Sequence, residues 1–269
     1  MAKILILGGG FAGLIAAKRL ALSLDPSHEV TLVSPGRNFT FYPALVHLAF
    51  GECTVEDISF DLANSLKELG VRFVRGEVIR INPERQKAEI VGDDFDGELG
   101  YDYLIFAMGR RLATEKVPGF FEHAQHLLGV NAALKFGELV RNFREGKIIV
   151  GLCPDGRLPV PVCETAFALA RKFETEMRDG KIRVSVIFPE SLEAAFGGAN
   201  LHIELEAAFE RHHINVLYDV PISEILFNEV LSSKKHQIKC DLLMLVPPFR
   251  GHAMLRDLGI TDDADFVRV

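Results

Sequence analysis

Gly8-Gly9-Gly10-Phe11-Ala12-Gly13 places glycines at the spacing Gly-x-Gly-x-x-Gly. A first glycine there permits a tight turn. A second lets backbone approach a pyrophosphate with no Cβ between them, and a third lets a helix pack closely on a strand. The chemistry is recognition of a dinucleotide's diphosphate by backbone N–H groups and the positive end of a helix. The thiols are Cys53, Cys153, Cys163 and Cys240, too scattered for a disulfide framework, and no Cys-x-x-Cys pair or Cys/His cluster suggests zinc. Cys163 opens a predicted helix over 163–177, so the helix dipole is expected to favour its thiolate. The competing account of each cysteine is a small buried apolar residue. The nine histidines, including His212-His213, show no metal spacing.

The elements around the glycines have the order such a site needs. Lys3 to Leu7 is a short apolar run, read as a buried parallel strand. After the glycines, Leu14, Ala17, Leu20 and Leu24 recur at helical spacing, with Lys18 and Arg19 on the other face. Asp25-Pro26-Ser27 ends that helix, and Val30 to Val33 forms a second strand closed by Ser34-Pro35-Gly36. This is a β-α-β unit. Dinucleotide folds usually carry an acid at the end of the second strand, to hold ribose hydroxyls. Ser34 stands in that place, a neutral and weaker partner, which argues against a simple NAD site.

Short strands follow over 71–74, 77–81 and 86–91, then a buried strand over 103–107 ending in Met108-Gly109. Residues 111–126 read as loop and 132–145 as a helix. A second strand-loop-helix-strand unit begins near 147, with strands at 147–150 and 183–188, a helix at 201–213, and strands at 215–217 and 238–246. The expected fold is α/β, with two Rossmann-like dinucleotide-binding domains. The first is discontinuous, over 1–112 and again from 247 to 269, and the second spans 113–246. In the second, Gly151-Leu152-Cys153-Pro154-Asp155-Gly156 spoils the glycine logic. Cys153 fills a position that needs no side chain, and Pro154 removes an N–H. Glu190 could imitate a ribose-binding acid, but it reads as a solvated surface charge.

Composition narrows the class. Apolar residues are 48% and charged residues 25% of the 269, which is enough for a sizeable core. A net charge of −7 argues against an electrostatic nucleic-acid binder. No run approaches the length of a membrane span, and the amino end does not read as a secretory signal. A cytoplasmic enzyme is the resulting expectation.

Three stretches together resemble the flavoproteins with two dinucleotide domains: Gly8 to Gly13, Asn38-Phe39-Thr40-Phe41-Tyr42-Pro43-Ala44-Leu45, and Tyr101-Asp102-Tyr103-Leu104-Ile105-Phe106-Ala107-Met108-Gly109. Within them the chain is most similar to sulfide:quinone oxidoreductases. Ser34, Pro161-Val162-Cys163-Glu164 and Val246-Pro247-Pro248-Phe249-Arg250-Gly251 carry that narrower likeness. The resemblance implies FAD on the first domain, with Gly8, Gly10, Phe11, Ala12 and Gly13 around the pyrophosphate. It places Ser34 and Arg37 by the ribose, Val78 by the adenine, Ala107, Met108 and Gly109 along the cofactor, and Pro43 near the flavin.

The resemblance also implies electron transfer from sulfide, or a related sulfur species, to a quinone. Cys153 and Cys163 are then the candidate thiols, although the family's cysteine aligns with Leu158 and neither matches it. Glu164 matches the family's acid beside the flavin and quinone, where a carboxyl with raised pKa can relay protons. By position alone it reads as a first-turn glutamate on the helix dipole. Family members continue past residue 269 with a ribityl-phosphate motif and amphipathic helices that attach them to the membrane surface. The chain as it stands is therefore expected to hold FAD weakly or not at all. It is also expected to associate through an exposed edge, as a homo-oligomer. Two other readings compete: a type II NADH:quinone oxidoreductase, disfavoured by Cys153-Pro154, and a non-catalytic binding protein that keeps the dinucleotide fold.

Overall fold

A computed structural model describes residues 1–268. The chain runs through β1 (Lys3–Leu7), α1 (Phe11–Ser23), β2 (Glu29–Ser34), α2 (Leu45–Phe50), α3 (Leu62–Glu68), β3 (Arg72–Arg75), β4 (Glu77–Asn82), β5 (Lys87–Val91), β6 (Gly97–Gly100) and β7 (Tyr103–Phe106). It continues with α4 (Val130–Asn142), β8 (Gly146–Leu152), α5 (Val160–Lys172), β9 (Ile182–Ile187), α6 (His202–Arg211), β10 (Asn215–Leu217), β11 (Ile222–Leu226), β12 (Glu229–Ser232), β13 (Gln237–Lys239) and β14 (Leu242–Val246). Two compact units result. Unit 1 holds residues 1–41, 56–111 and those from 250 onward; unit 2 holds 42–55 and 112–249.

Unit 1 is built on a parallel sheet of order β3-β2-β1-β7. The apolar run of β1 is explained by burial on both faces. Ile4 and Ile6 pack with Leu32, Leu62 and Leu66 under the helices. Leu5 and Leu7 pack with Val33, Val78, Ala88 and Ile90 under the antiparallel β4-β5-β6 sheet. Each such aliphatic side chain contributes about 1.5–3 kcal/mol when fully buried. Because β1 has β2 on one side and β7 on the other, the strand order reverses at β1, where open α/β sheets place ligands beyond their carboxyl ends. Three strands end level there, since Leu7 pairs with both Val33 and Phe106.

Unit 2 repeats the layering with a parallel sheet of order β10-β9-β8-β14. Helix α5 packs on β8 and β9. On the other face, Ile149, Ile187, Leu243 and Leu245 meet Ile222, Ile225 and Val230 of the β11-β12-β13 side. The expected α/β class with two dinucleotide-type sheets is therefore present. Boundaries shift in three places. The helix expected at 163–177 begins at Val160, with Pro161 in its first turn, and breaks at Phe173 before a short helix at Glu174–Arg178. The stretch 111–126, read as loop, holds a 3₁₀ turn at Thr114–Lys116 and a helical turn at Phe120–His123. The returning strand expected from Asp265 is reduced to a single bridge between Thr261 and Val267, and its last position, Val269, lies outside the described residues.

Helix α2 belongs to unit 2 because Leu45, Val46, Leu48 and Ala49 are buried and the helix packs on α4. That approach needs Gly137, where a Cβ would stand 2.2 Å from the Ala49 carbonyl oxygen. Gly137→Ala should gain about 1 kcal/mol of helix propensity and lose more by driving the helices apart. Thermal denaturation is expected to show a net loss of about 1–3 kcal/mol; an unchanged or raised midpoint would contradict the packing described.

Candidate functional site

In unit 1 the predicted residues converge at the carboxyl ends of β1, β2 and β7. Gly8 leaves β1 with φ +113°, and its N–H donates to the Val33 carbonyl at 2.8 Å. A Cβ on Gly8 would lie 2.2 Å from the Ala107 carbonyl oxygen, and one on Gly13 would lie 1.9 Å from that of Gly8. These two glycines hold three backbone segments in contact. A Cβ on Gly9 would meet the Ser34 hydroxyl at 2.8 Å, so Ser34, itself buried, borders the same turn. Gly10 differs: a Cβ there would meet no atom within 4 Å. It is also the N-cap of α1, with no side chain bonding the cap. A helix leaves its first N–H groups without intrahelical acceptors, and here the residue beside them is bare and open. Phe11 and Ala12 form the first turn with Gly13.

The remaining unit 1 positions are more varied. Val78 is buried in the core that Met108 flanks. Ala107 extends the sheet by donating its N–H to Leu7 at 2.8 Å, and Gly109 turns at φ +69° with open space over its α-carbon. Arg37 is engaged by Asp61, Nε to Oδ2 at 2.6 Å. Asp61 also caps α3 by accepting the Asn64 amide at 2.8 Å, which with the guanidinium holds its carboxyl below the usual range. His252 Nε2 lies 3.1 Å from the Met108 carbonyl oxygen. Neither Asp61 nor His252 stood out in the sequence. Their partners are 24 and 144 residues away, and no local pattern announces such contacts.

In unit 2 lie Pro43, in the 3₁₀ turn Tyr42–Ala44, and the three residues read as catalytic. Cys153 follows β8 and is fully buried beside Phe120, Ile149 and Leu245. Burial pushes its thiol far above the ordinary range. Cys163 is the fourth residue of α5, not its opening residue, and is also buried. Its thiol is pushed up to about 12, first by burial and then by the charge of Glu164. The expected thiolate is thus corrected. Dehydration outweighs a helix dipole that fades within the first turn, and both thiols are neutral near pH 7. Near Cys163, the Tyr218 hydroxyl donates to Glu206 Oε1 at 2.9 Å, and burial raises the phenol.

Glu164 reaches the surface, yet burial by its neighbours raises its carboxyl, while nearby His47 pulls it back down. His47 Nδ1 lies 2.5 Å from Glu52 Oε2. The loop between β8 and α5 departs from the glycine turn of unit 1. Seven residues separate Leu152 from Val160, and Asp155 and Arg157 sit at φ +62° and +50°. Asp155 is tied to Lys116 at 3.1 Å. Among the described residues no His, Cys, Asp and Glu cluster could hold a metal, and no helix is long and apolar enough to cross a membrane.

Paired parallel sheets with a bare turn feeding a helix define a protein built from two dinucleotide-binding folds. The chain belongs to the pyridine nucleotide-disulphide oxidoreductase family, whose model matches residues 2–151. It is 29% identical to the sulfide-quinone reductase of Aquifex aeolicus over 96% of its own length and 61% of that protein's. It is 29% identical to an external alternative NAD(P)H-ubiquinone oxidoreductase of Solanum tuberosum, over 58% of its length and 28% of the relative's. The crystal structure of the Aquifex aeolicus sulfide:quinone oxidoreductase superposes with a TM-score of 0.90 at 23% identity, covering 99% of this chain and 64% of that one. The chain thus spans about three fifths of the length of the first of these relatives.

Ellman's reagent at pH 8 is expected to titrate half-buried Cys53 first, and Cys153, Cys163 and Cys240 only on unfolding. Between pH 9, the ordinary thiol value, and about 11, the folded chain keeps thiol protons that the unfolded chain releases. Stability should therefore fall as pH rises through that window, by up to about 1.4 kcal/mol per pH unit for each such thiol. Rapid modification of Cys163 in the folded protein would contradict this picture.

Proposed function

We propose that this chain is the dinucleotide-binding part of an FAD-dependent oxidoreductase that passes electrons from sulfide, or a related small sulfur species, to a quinone. The observation that carries the reading is the glycine cradle. Backbone contact is obligatory at Gly8 and Gly13, while open space lies over Gly10 at an uncapped helix start. That arrangement fits a diphosphate. When bound, FAD would supply two-electron storage between donor and acceptor. Gly8 to Gly13 would hold its diphosphate, Ser34 and Arg37 its ribose, Val78 its adenine, and Ala107 to Gly109 its middle. Pro43 would stiffen the chain near the flavin.

The choice of donor and acceptor rests on the similarity to the Aquifex aeolicus protein over nearly the whole chain. Glu164 is the residue assigned to proton handling. Quinone reduction consumes two protons, and a carboxyl raised by dehydration keeps a proton to give at higher pH than an ordinary one. Cys163, beside it, is assigned to contact with the sulfur donor as a neutral thiol that a species as small as sulfide reaches and Ellman's reagent does not. Cys153, the second candidate thiol, sits deeper, in the apolar core. Any contact with a membrane surface, and self-association, belong to the same proposal.

A second reading, NADH as donor, is favoured by the likeness to the plant NAD(P)H-ubiquinone oxidoreductase. The loop after β8 speaks against it, because Pro154 lacks an N–H and the helix starts only at Val160. A third reading, a non-catalytic protein with this fold, predicts no reduction by either donor.

With saturating FAD under anaerobic conditions, sulfide should bleach the flavin band and an added quinone should restore it, while NADH should not. Bleaching by NADH alone would reverse the donor assignment, and bleaching by neither would favour the non-catalytic reading. Glu164→Gln should slow the quinone step about 100-fold and leave flavin reduction unaffected. Gly10→Val should lower the melting temperature by only a few degrees, the cost of a poorer N-cap residue, because a Cβ there meets no atom within 4 Å. The same variant should weaken FAD binding at least about 100-fold, and undiminished binding would remove the diphosphate site from this turn.

A further inference from the structure

At the amino-terminal ends of its parallel strands, away from Cys153, the two sheets of unit 2 part into an open groove of about 620 Å³. One wall is the face of the parallel sheet that carries Lys147 and Ile149 of β8, Arg183 and Ser185 of β9, and Leu217 of β10. The other is the β12–β13 pair, with Ile238 and Lys239.

The charges in this groove are arranged against themselves. Lys147 and Arg183 are register partners on adjacent parallel strands. Like charges placed side by side on one sheet face destabilise it unless something neutralises them. Lys239 adds a third positive group, and the groove's single carboxylate, Glu229, stands opposite Lys239 across β12–β13. The lining thus carries a net excess of positive charge, and the nearest further carboxylate, Asp241, is engaged by the Lys147 backbone N–H at 2.8 Å rather than by a lining side chain. Among the described residues, Lys147, Arg183 and Lys239 form no ion pair. Ordinary surface cations scatter singly over convex surface. These line a mixed concavity in which Leu217 and Ile238 are partly buried aliphatic side chains beside the cations.

We propose that this groove binds a small organic anion. Its carboxylate, sulfonate or phosphate group is held by Lys147 and Arg183, and its apolar body rests on Leu217 and Ile238. A guanidinium beside an ammonium gives the anionic head two charge-assisted donors. The site is independent of the flavin reading, because every residue in it belongs to unit 2 and none serves the glycine cradle.

The test uses naphthalene-1-sulfonate as probe, titrated into the isotopically labelled chain and followed by amide NMR. Saturable shifts are expected at Lys147, Arg183, Asn215 and Ile238. The uncharged 1-naphthalenemethanol should bind at least about tenfold more weakly, as should the sulfonate to a Lys147→Gln/Arg183→Gln variant. Both substituted side chains are exposed, so the variant should stay folded, and Lys239→Gln provides a milder second variant. Absence of saturable shifts in the groove overturns the proposal, as does equal affinity for the neutral compound. Undiminished sulfonate binding in the variants overturns it as well.

Discussion

The structure of unit 1 depends on one contact between backbones, the approach of Gly13 to the carbonyl of Gly8 beside Ala107. A methyl group at either glycine would overlap a carbonyl oxygen, so α1 can reach the end of β1 only if both positions are bare. That approach sets the helix tip over the point where the strand order reverses. Everything else in the unit supports it. The helix side of the sheet is filled by Leu32, Leu62 and Leu66, and the other side by Val78, Ala88 and Ile90. With both faces covered, a one-residue slip of β1 would carry each side chain into the opposite apolar layer, where the close-packed neighbours do not match its shape.

Unit 2 uses the same layers to a different end. Its central strand also has parallel neighbours on both sides, but the connection to the helix is longer and rigidified by Pro154 and by two non-glycine residues in left-handed conformation. A turn that cannot present a row of amides is no cradle for a diphosphate. The thiols there are sheltered: Cys153 lies in the apolar core, and Cys163 is dehydrated beneath the start of α5. Glu164, one residue further on, reaches the surface, so two consecutive residues of one helix have opposite access to water.

Much of this was legible in the sequence. The β-α-β unit at the amino end could be read because glycine spacing, an apolar strand and helical periodicity all pointed to one arrangement. The spoiled turn at 151–156 was legible for the converse reason. The start of α5 was missed by three residues, because Val160-Pro161-Val162 gives no capping residue and Pro161 reads as loop until it is seen in a first turn. For Cys163 the sequence left two accounts open, a helix-tip thiolate and a small buried residue, and the burial that decides between them comes from packing of α5 on strands β8 and β9. Helix α2 could not be assigned to unit 2 from its own six residues. Its allegiance comes from Gly137, nearly ninety positions later. Contacts such as His252 with Met108 have no signature in the chain at all.

The most direct measurement is a crystal structure of the chain soaked with FAD. A diphosphate seated against the first turn of α1, over the open side of Gly10 and within hydrogen-bond reach of the amides at 10–13, is the predicted outcome. A dinucleotide bound elsewhere on the chain, with that crevice left to water, would contradict the account at its root.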